Sequence, residues 1–156
     1  HREDGPAREW SNGGNEWYKD GKLHREDGPA IDLLESELGC TVKKWSINGK
    51  YHREDGPAFD FVNGTKSWYL NGTLHREDGP AVEDANGHKE WFKNGQKHRE
   101  DGPAVVRGSG KLKTEEFWFE GCLVTEAMLE LHKTLTPEIE EIVRARKVVS
   151  MFGRRM

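Results

Sequence analysis

Five clusters of His, Arg, Glu and Asp are the residues of this chain whose types could support chemistry. They belong to a seven-residue motif, His-Arg-Glu-Asp-Gly-Pro-Ala, which begins at His1, His24, His52, His75 and His98. Imidazole and carboxylate groups are metal ligands and acid–base catalysts, so each cluster could hold a metal, take part in catalysis or contact a ligand. An active site needs one asymmetric arrangement in a shaped pocket, and identical copies along a chain do not provide it. We therefore predict no catalytic residue, no metal site and no cofactor.

The motif has a structural interpretation and two alternatives. In the structural one, Arg of one unit lies beside Glu or Asp of the next unit and forms a ladder of ion pairs. Surface pairs contribute about 0–1 kcal/mol each, and networks contribute more. The alternatives are repeated contact with a ligand, and metal or other chemistry. Catalytic-triad order, a phosphate-binding loop and paired cysteines do not occur in the sequence.

The composition is polar for a folded protein, with 33% hydrophobic residues, 33% charged residues and a mean hydropathy of −0.93. Such polarity would indicate disorder, but the six Trp, three Tyr and six Phe recur at fixed intervals. The net charge of −4 comes from finely interleaved signs, which argues against nucleic acid and membrane surfaces as partners. The two distant cysteines indicate a reduced, cytoplasmic setting. Because the chain begins inside the motif without Met, we expect a missing N-terminal segment.

The motif recurs at spacings of 23, 28, 23 and 23 residues, a period typical of repeat proteins. An aromatic phrase that ends in Asn-Gly or Asp-Gly precedes each later copy, and a degenerate phrase closes the series. These phrases are Trp17–Gly21, Trp45–Gly49, Trp68–Gly72, Trp91–Gly95 and Phe117–Gly121. Such dipeptides between β-favouring residues predict hairpins, because both turn positions need positive φ.

The Asn71-Gly72 turn predicts the pairs Leu70 with Thr73 and Tyr69 with Leu74. Asn63-Gly64 and Asn86-Gly87 predict a second kind of hairpin, with Phe59 opposite Trp68 and Val82 opposite Trp91. The predicted fold is mostly β, an elongated antiparallel meander of stacked hairpin repeats over residues 1–124. Extra residues in 33–44 and 107–116 are expected to loop outward.

Alternation along the strands assigns side chains to two faces. One face carries the same Trp and His in every unit, and we predict a structural ladder in which each Trp stacks on its copy. Its residues are Trp17, His24, Trp45, His52, Trp68, His75, Trp91 and His98. The other face varies between units and carries the candidate partner-binding residues Tyr18, Tyr51, Tyr69 and Phe92, because exposed aromatic rows suit protein interfaces.

Residues 125–156 change to a helical period and predict a C-terminal helical cap. Thr125 caps a first helix to about Lys133, with Ala127, Met128 and Leu131 on one side. A second helix starts at Thr136-Pro137-Glu138 and runs to about Met151. The helices either cover the open end of the array or mediate self-association or partner docking. The candidate contacts for docking are Ile139, Ile142, Val143 and Arg146.

The pattern Trp-x-x-Asn-Gly-x-x-His-x-x-x-Gly, with its 23-residue period, resembles the MORN repeat family over roughly residues 1–124. The wording of the motif resembles a MORN-like variant found in proteins of phages and large DNA viruses. This resemblance implies stacked β-hairpins and a scaffolding or binding function without catalytic residues.

Three functions follow as hypotheses. The leading one is a repeat scaffold that binds a protein partner, as a phage-type inhibitor or adaptor. The alternative is sequestration of a small nucleotide-like signal molecule, with Arg and His as phosphate contacts. A third is contact with a lipid surface through the basic residues of 144–156.

Overall fold

The computed structural model of the chain describes residues 5–11, 13–33 and 42–134. It contains nineteen short strands, a 3-10 turn and one α-helix. The strands are β1 (Arg8–Glu9), β2 (Asn15–Glu16), β3 (Tyr18–Lys19), β4 (Lys22–Leu23), β5 (Ile31–Leu33), β6 (Val42–Lys44), β7 (Ser46–Ile47), β8 (Lys50–Tyr51), β9 (Phe59–Phe61), β10 (Lys66–Ser67), β11 (Tyr69–Leu70), β12 (Thr73–Leu74), β13 (Val82–Glu83), β14 (Lys89–Glu90), β15 (Phe92–Lys93), β16 (Gln96–Lys97), β17 (Val105–Arg107), β18 (Thr114–Phe119) and β19 (Cys122–Val124). The 3-10 turn spans Gly110–Leu112, and the helix α1 spans Glu126–Thr134.

Eleven of the strands form one antiparallel sheet whose spatial order follows the chain. The order is β1-β2-β5-β6-β9-β10-β13-β14-β17-β18-β19. The other eight strands form four separate hairpins, β3–β4, β7–β8, β11–β12 and β15–β16. In each unit a single Trp joins a strand of the large sheet to the first strand of a short hairpin. The predicted mostly-β meander of hairpins is confirmed.

The four short hairpins close as the sequence predicts. Leu70 pairs with Thr73 and Tyr69 pairs with Leu74. The turn residues Asn71 and Gly72 have φ of 52° and 88°, so both lie in the left-handed region. Asn and Asp tolerate this region better than other residues with a side chain, which explains why Asn or Asp precedes Gly in these turns.

The wider hairpins of the large sheet differ from the prediction by one residue. Phe59 lies opposite Ser67, not Trp68, and Val82 lies opposite Glu90, not Trp91. The predicted pairs are therefore wrong, because each loop contains three residues and only its Gly has positive φ, as at Gly64 with 84°. A type I turn followed by a left-handed Gly produces this three-residue loop.

The buried core consists of the motif's own alanines together with Val105 and Leu129. Ala30, Ala58, Ala81 and Ala104 are 0% exposed. Each alanine carbonyl accepts the backbone N–H of the Trp of its unit at 2.8–2.9 Å, so the methyl group lies beside the strand that carries the indole. A core of methyl groups needs few large apolar residues, which accounts for a folded repeat with 33% hydrophobic residues.

Helix α1 begins after Thr125, whose Oγ1 accepts the backbone N–H of Met128 at 3.2 Å. The predicted start and length are confirmed, and the residue that the helix buries is not one of the three apolar residues singled out in the sequence. Leu129 is buried at 2% exposure, whereas Leu131 is 51% exposed and Ala127 is also exposed. The side that meets the array carries Leu129 and His132, three residues apart along the helix, and the His132 ring centre lies 4.2 Å from that of Phe119.

The predicted second helix and its candidate residues Ile139, Ile142, Val143 and Arg146 lie outside the described residues. The first predicted insertion also lies there in large part, since β5 ends at Leu33 and β6 begins at Val42. The second insertion contains the 3-10 turn, where Leu112 is exposed. Within the described ranges, no helix is long and apolar enough to span a membrane.

Candidate functional site

The arginine of each motif lies over the tryptophan of its own unit. The guanidinium carbon is 3.9 Å from the ring centre for Arg25 over Trp17, and the pairs Arg53–Trp45 and Arg76–Trp68 have the same distance. The Arg99–Trp91 distance is 4.1 Å. A guanidinium placed over an indole face is attracted by the ring electrons. Each tryptophan of the predicted ladder is therefore covered by an arginine.

The rest of the motif holds that arginine in place. In the third unit, Arg76 Nε donates to Asp78 Oδ1 at 2.9 Å and Nη1 donates to the Pro80 carbonyl at 3.3 Å. A Cβ at Gly79 would lie 3.0 Å from the guanidinium carbon, so glycine leaves the space that the guanidinium occupies. The segment from Arg to Pro thus folds back over the indole. We call it the motif loop; its copies are 25–29, 53–57, 76–80 and 99–103.

The histidine of each motif links its unit to the next. His75 Nδ1 accepts the backbone N–H of Asn94 at 3.1 Å, and the corresponding histidines 24, 52 and 98 accept the same bond at 3.0, 3.2 and 3.1 Å. The imidazole therefore carries its proton on Nε2. That nitrogen faces the Glu two residues later, at 3.2 Å in the His98–Glu100 pair and 3.8 Å in the His75–Glu77 pair.

The ion pairs of the motif do not join neighbouring units, although the structural interpretation of the sequence predicted that they would. The Arg–Asp pairs lie within a unit, at 2.7–2.9 Å, because the Asp is only two residues beyond the Arg in a tight loop. Units are joined instead by the histidine bonds and by backbone bonds such as Arg76 N–H to the Phe92 carbonyl at 3.2 Å. Among the described residues, the ring pairs in contact include no pair of tryptophans.

The carboxylates of the motif loops face the solvent. The glutamate side chains are 65–85% exposed and the aspartate side chains 78–83%, whereas the arginines are only 23–25% exposed. Although the motif contains opposite charges, its outer surface is therefore acidic. We call the row of carboxylates the acidic edge; it comprises Glu26, Asp27, Glu54, Asp55, Glu77, Asp78, Glu100 and Asp101.

The arginines affect the ionisation of the acidic edge. The hydrogen bond from Arg76, followed by its charge, lowers the pKa of Asp78 below the usual value of 3.8. Asp27 and Asp55 have lowered pKa values for the same reasons, and at Asp101 the hydrogen bond from Arg99 is again the largest cause. These aspartates are therefore ionised at neutral pH.

Three aromatic side chains form a contiguous group. The Tyr51 and Phe59 ring centres are 4.4 Å apart, those of Phe59 and Tyr69 5.0 Å, and those of Tyr51 and Tyr69 5.8 Å. We call these three rings the aromatic cluster. Phe61 lies beside it, 6.2 Å from Phe59. Burial raises the pKa of Tyr69, and Tyr51 adds to that shift.

The structure thus brings together two of the four aromatic candidates. Tyr18 is not among the rings in contact, and its hydroxyl donates to Glu16 at 3.2 Å. Burial and this carboxylate raise the pKa of Tyr18, and Tyr51 adds a smaller contribution. Phe92 pairs with Lys97 in the β15–β16 hairpin. Sequence reasoning missed Phe59, which alternation along β9 could have placed beside the tyrosines once the three-residue loop was known.

A cavity of about 790 Å³ lies between two successive motif loops, 76–80 and 99–103. Trp91, Phe92 and Lys93 line it between the loops, and each loop contributes its Glu and its Asp to the lining. A neighbouring cavity of about 480 Å³ lies between the loop of the last unit and α1, where the His132 ring is 4.2 Å from Phe119. The two cavities share Lys93, His98 and Glu100.

Within residues 5–11, 13–33 and 42–134, no three His, Cys, Asp or Glu side chains are grouped to hold a metal ion. The arrangement offers two groups of side chains for recognition, the acidic edge and the aromatic cluster. No family model, curated protein or solved structure matches the chain.

Proposed function

We propose that this chain is a non-catalytic repeat scaffold that binds a protein partner through its aromatic cluster. The observation that carries the proposal is the aromatic cluster, in which Tyr51, Phe59 and Tyr69 contact one another at 4.4–5.8 Å. The resemblance of the repeat to MORN-like proteins supports a scaffold, and a phage-type inhibitor or adaptor is the role that this resemblance suggests.

Several properties of the cluster favour protein binding. Its three rings are only partly buried, so ring surface faces the solvent. Contact between the rings limits their rotation, which reduces the entropy that binding would cost. Tyrosine and other aromatic residues dominate the energetics of protein interfaces. Lys44 Nζ lies 5.3 Å from the Phe59 ring centre and supplies a charged rim.

Sequestration of a small anionic ligand has less support. The four arginines that could contact phosphate are each engaged with an aspartate and a tryptophan and are only 23–25% exposed. The surface around them is acidic, which disfavours an anion.

The test is affinity capture from a native lysate with the variant Tyr51→Leu/Tyr69→Ser. Both replacements occur naturally at the equivalent positions of other units, as Leu74 and Ser46, so the variant should fold. The matched control exchanges two exposed residues, Thr73→Gln and Gln96→Thr. Bound proteins and heat-released small molecules are both identified by mass spectrometry.

We expect one protein to be enriched by the wild type and the control, and to fall by at least about tenfold with the aromatic variant, because hot-spot aromatics contribute that much. A protein captured equally by the wild type, the aromatic variant and the control would contradict binding through the aromatic cluster. A released small molecule without a protein would contradict the proposed function and favour sequestration.

A further inference from the structure

The residue directly before each aromatic phrase is a glutamate in three units and a different residue in the other two. The strand pairs place its five copies in one row across the large sheet, with one apolar residue between neighbouring copies. We call it the row position; its copies are Glu16, Lys44, Ser67, Glu90 and Glu116.

Where the row position is a glutamate, its carboxylate lies beside a donor group from the hairpin of the same unit. The three contacts are Tyr18 Oη to Glu16 at 3.2 Å, Lys97 Nζ to Glu90 at 3.7 Å and Trp118 Nε1 to Glu116 at 2.9 Å. The three glutamate side chains are only 12–33% exposed, so their carboxylates lie close to the face of the sheet. These units therefore contain an acceptor for their own hairpin donor.

The aromatic cluster lies in the two units that lack this glutamate. Tyr69 follows Ser67 by two residues, as Tyr18 follows its glutamate, and Tyr51 lies opposite Ser46 in the hairpin that follows Lys44. Within the described part of the chain, the three hydroxyl groups of Tyr51, Ser67 and Tyr69 and the Lys44 ammonium group donate no hydrogen bond. None of these four polar atoms is completely buried, so a partner can reach them.

The chemistry of these groups selects a negatively charged acceptor. The Lys44 ammonium group can only donate, and it lies 5.3 Å from the Phe59 ring centre at the middle of the cluster. Burial raises the pKa of Tyr69, so its hydroxyl is protonated at neutral pH and can donate as well. A carboxylate accepts several hydrogen bonds, and those from a charged donor are about twice as strong as neutral ones.

The neighbouring copies of the row position limit how far the negative charge of a partner can extend. The row continues to Glu16 on one side of the cluster and to Glu90 on the other. Each of them lies two strands, or about 10 Å, from the nearest copy in the cluster. A nucleic acid carries a charge every few ångströms and would meet these glutamates, whereas a single carboxylate next to an apolar side chain would not.

We propose that the aromatic cluster binds an acidic and apolar segment of its protein partner, in which a Glu or Asp side chain takes the place of the missing row-position glutamate. The carboxylate of the partner accepts hydrogen bonds from Lys44 and the tyrosine hydroxyls, and an adjacent apolar side chain packs on the three rings. This inference rests on the proposed function and adds the chemistry of the partner to it.

The first test titrates the chain with the capped peptide Leu-Glu-Leu and with its analogues Leu-Gln-Leu and Leu-Lys-Leu. Binding is measured from the proton–carbon NMR shifts of the Tyr51, Phe59 and Tyr69 rings, which also detect weak complexes. The variant Lys44→Gln removes the ammonium group of the cluster. The matched control is Lys43→Gln, which removes the same charge from the preceding residue of β6, on the opposite face of the sheet.

We expect the wild type to bind the Glu peptide at least about fivefold more tightly than the Gln peptide, because hydrogen bonds to a charged group are strong. The Lys peptide should bind no better than the Gln peptide. Lys44→Gln should remove most of the preference for Glu, and Lys43→Gln should keep it. Equal affinity for the Glu and Gln peptides, equal effects of the two lysine substitutions, ring shifts with none of the peptides, or binding of oligothymidylate instead would overturn the inference.

The second test returns a carboxylate to the cluster. Ser67→Glu gives its unit the residue that three other units have, so the variant should fold. We expect it to lose the preference for the Glu peptide and to capture the protein partner at least about tenfold less, because like charges brought together are repelled. Ser67→Gln has the same side-chain length without the charge and should retain both activities. Equal losses in the two variants would show that side-chain size, and not charge, is responsible.

The proposed function and this inference can fail separately. If the variant Tyr51→Leu/Tyr69→Ser captures the partner as the wild type does, the proposed function fails. If capture depends on these rings but is unchanged by Lys44→Gln and Ser67→Glu, the partner binds the cluster without an acidic group, and only this inference fails.

Discussion

The Arg76 guanidinium lies 3.9 Å above the Trp68 ring, although seven residues, which form a complete hairpin turn, separate the two in the chain. This contact joins the two halves of the repeat, the aromatic phrase and the seven-residue motif. It also explains the residues that follow the arginine. Asp78 and the Pro80 carbonyl accept hydrogen bonds from the guanidinium, and Gly79 leaves room for it.

Replacing the arginine with lysine should destabilise the fold. An ammonium group cannot bond Asp78 and the Pro80 carbonyl while also lying flat on the Trp68 ring. We expect Arg76→Lys to lower the free energy of unfolding by about 1–3 kcal/mol, the range for hydrogen bonds to charged groups. The measurement is urea denaturation. The control is Arg107→Lys, at a side chain that is 45% exposed, where we expect less than about 1 kcal/mol. Equal losses would contradict the special role of Arg76.

The effect of Gly79→Ala should depend on Arg76. Gly79 has no positive φ that would exclude alanine, so the obstacle is the arginine, whose guanidinium carbon would lie 3.0 Å from the added methyl group. We expect Gly79→Ala alone to cost about 1–2 kcal/mol, as overpacking does. In an Arg76→Ala background it should become neutral or stabilising by about 0.5 kcal/mol, because alanine restricts the unfolded chain. A double-mutant cycle measured by urea denaturation tests this, and additive costs would refute it.

The hydrogen bond of His75 to the next unit can be tested with two substitutions that introduce a side-chain amide. Asparagine places an acceptor oxygen near the position of Nδ1, whereas glutamine extends toward the position of Nε2. His75→Asn should therefore keep the bond from the Asn94 N–H, and His75→Gln should lose it at a cost of about 0.5–1.5 kcal/mol. Hydrogen exchange of the Asn94 amide provides the readout. Equal protection in the two variants would show that Nδ1 is not the acceptor.

Stability should fall in acid because of the motif aspartates. Their pKa values in the folded chain are lowered, first by the hydrogen bond from the arginine, from the usual 3.8. A lowered folded pKa adds stability at pH values above the unfolded pKa, and this stability is lost as the pH falls through the folded pKa. We expect the urea midpoint to decrease below about pH 4.

Aspartate-to-asparagine replacement provides the control for this pH dependence. With Asp27→Asn, Asp55→Asn, Asp78→Asn and Asp101→Asn together, the midpoint should be lower at neutral pH and vary less between about pH 5 and 2. An unchanged acid slope in this variant would assign the pH dependence to other carboxylates, such as Glu116, whose pKa Arg107 also lowers.

Asn71 and Asn86 both precede a glycine in a turn, but replacement by alanine should cost different amounts of stability at the two positions. Asn71 has a φ of 52°, whereas Asn86 is not among the residues with positive φ. Asn71→Ala should cost about 1 kcal/mol, because alanine is disfavoured in the left-handed region. Asn86→Ala should cost less than about 0.5 kcal/mol, as surface substitutions usually do. Thermal unfolding of the two variants measures the difference, and equal shifts would contradict the two turn types.

The short hairpins and the start of α1 could be predicted because local residues determine them. Asn71-Gly72 specifies a two-residue turn, and Thr125 specifies a helix cap. The register around Asn63-Gly64 could not be predicted, because the same dipeptide also fits the last two positions of a three-residue loop. That choice depends on strand pairing across the sheet, which a dipeptide does not contain.

The candidate sites were predictable in part for a similar reason. Alternation along strands put Tyr51 and Tyr69 on one face, and the structure places them 5.8 Å apart. The position of the arginine could not be foreseen, because it requires a loop that folds back over its own strand. The buried side of α1 at Leu129 depends on how the helix meets β18, and the helix sequence allows more than one side.

The bonds that join one unit to the next are the same at every joint. The Gly of each short turn donates to the preceding hairpin at 2.8–2.9 Å, both across the 28-residue interval and across the 23-residue intervals. Excising or duplicating one whole unit would therefore recreate a joint that already exists. The length of the array would then change in steps of about 10 Å, the width of two strands.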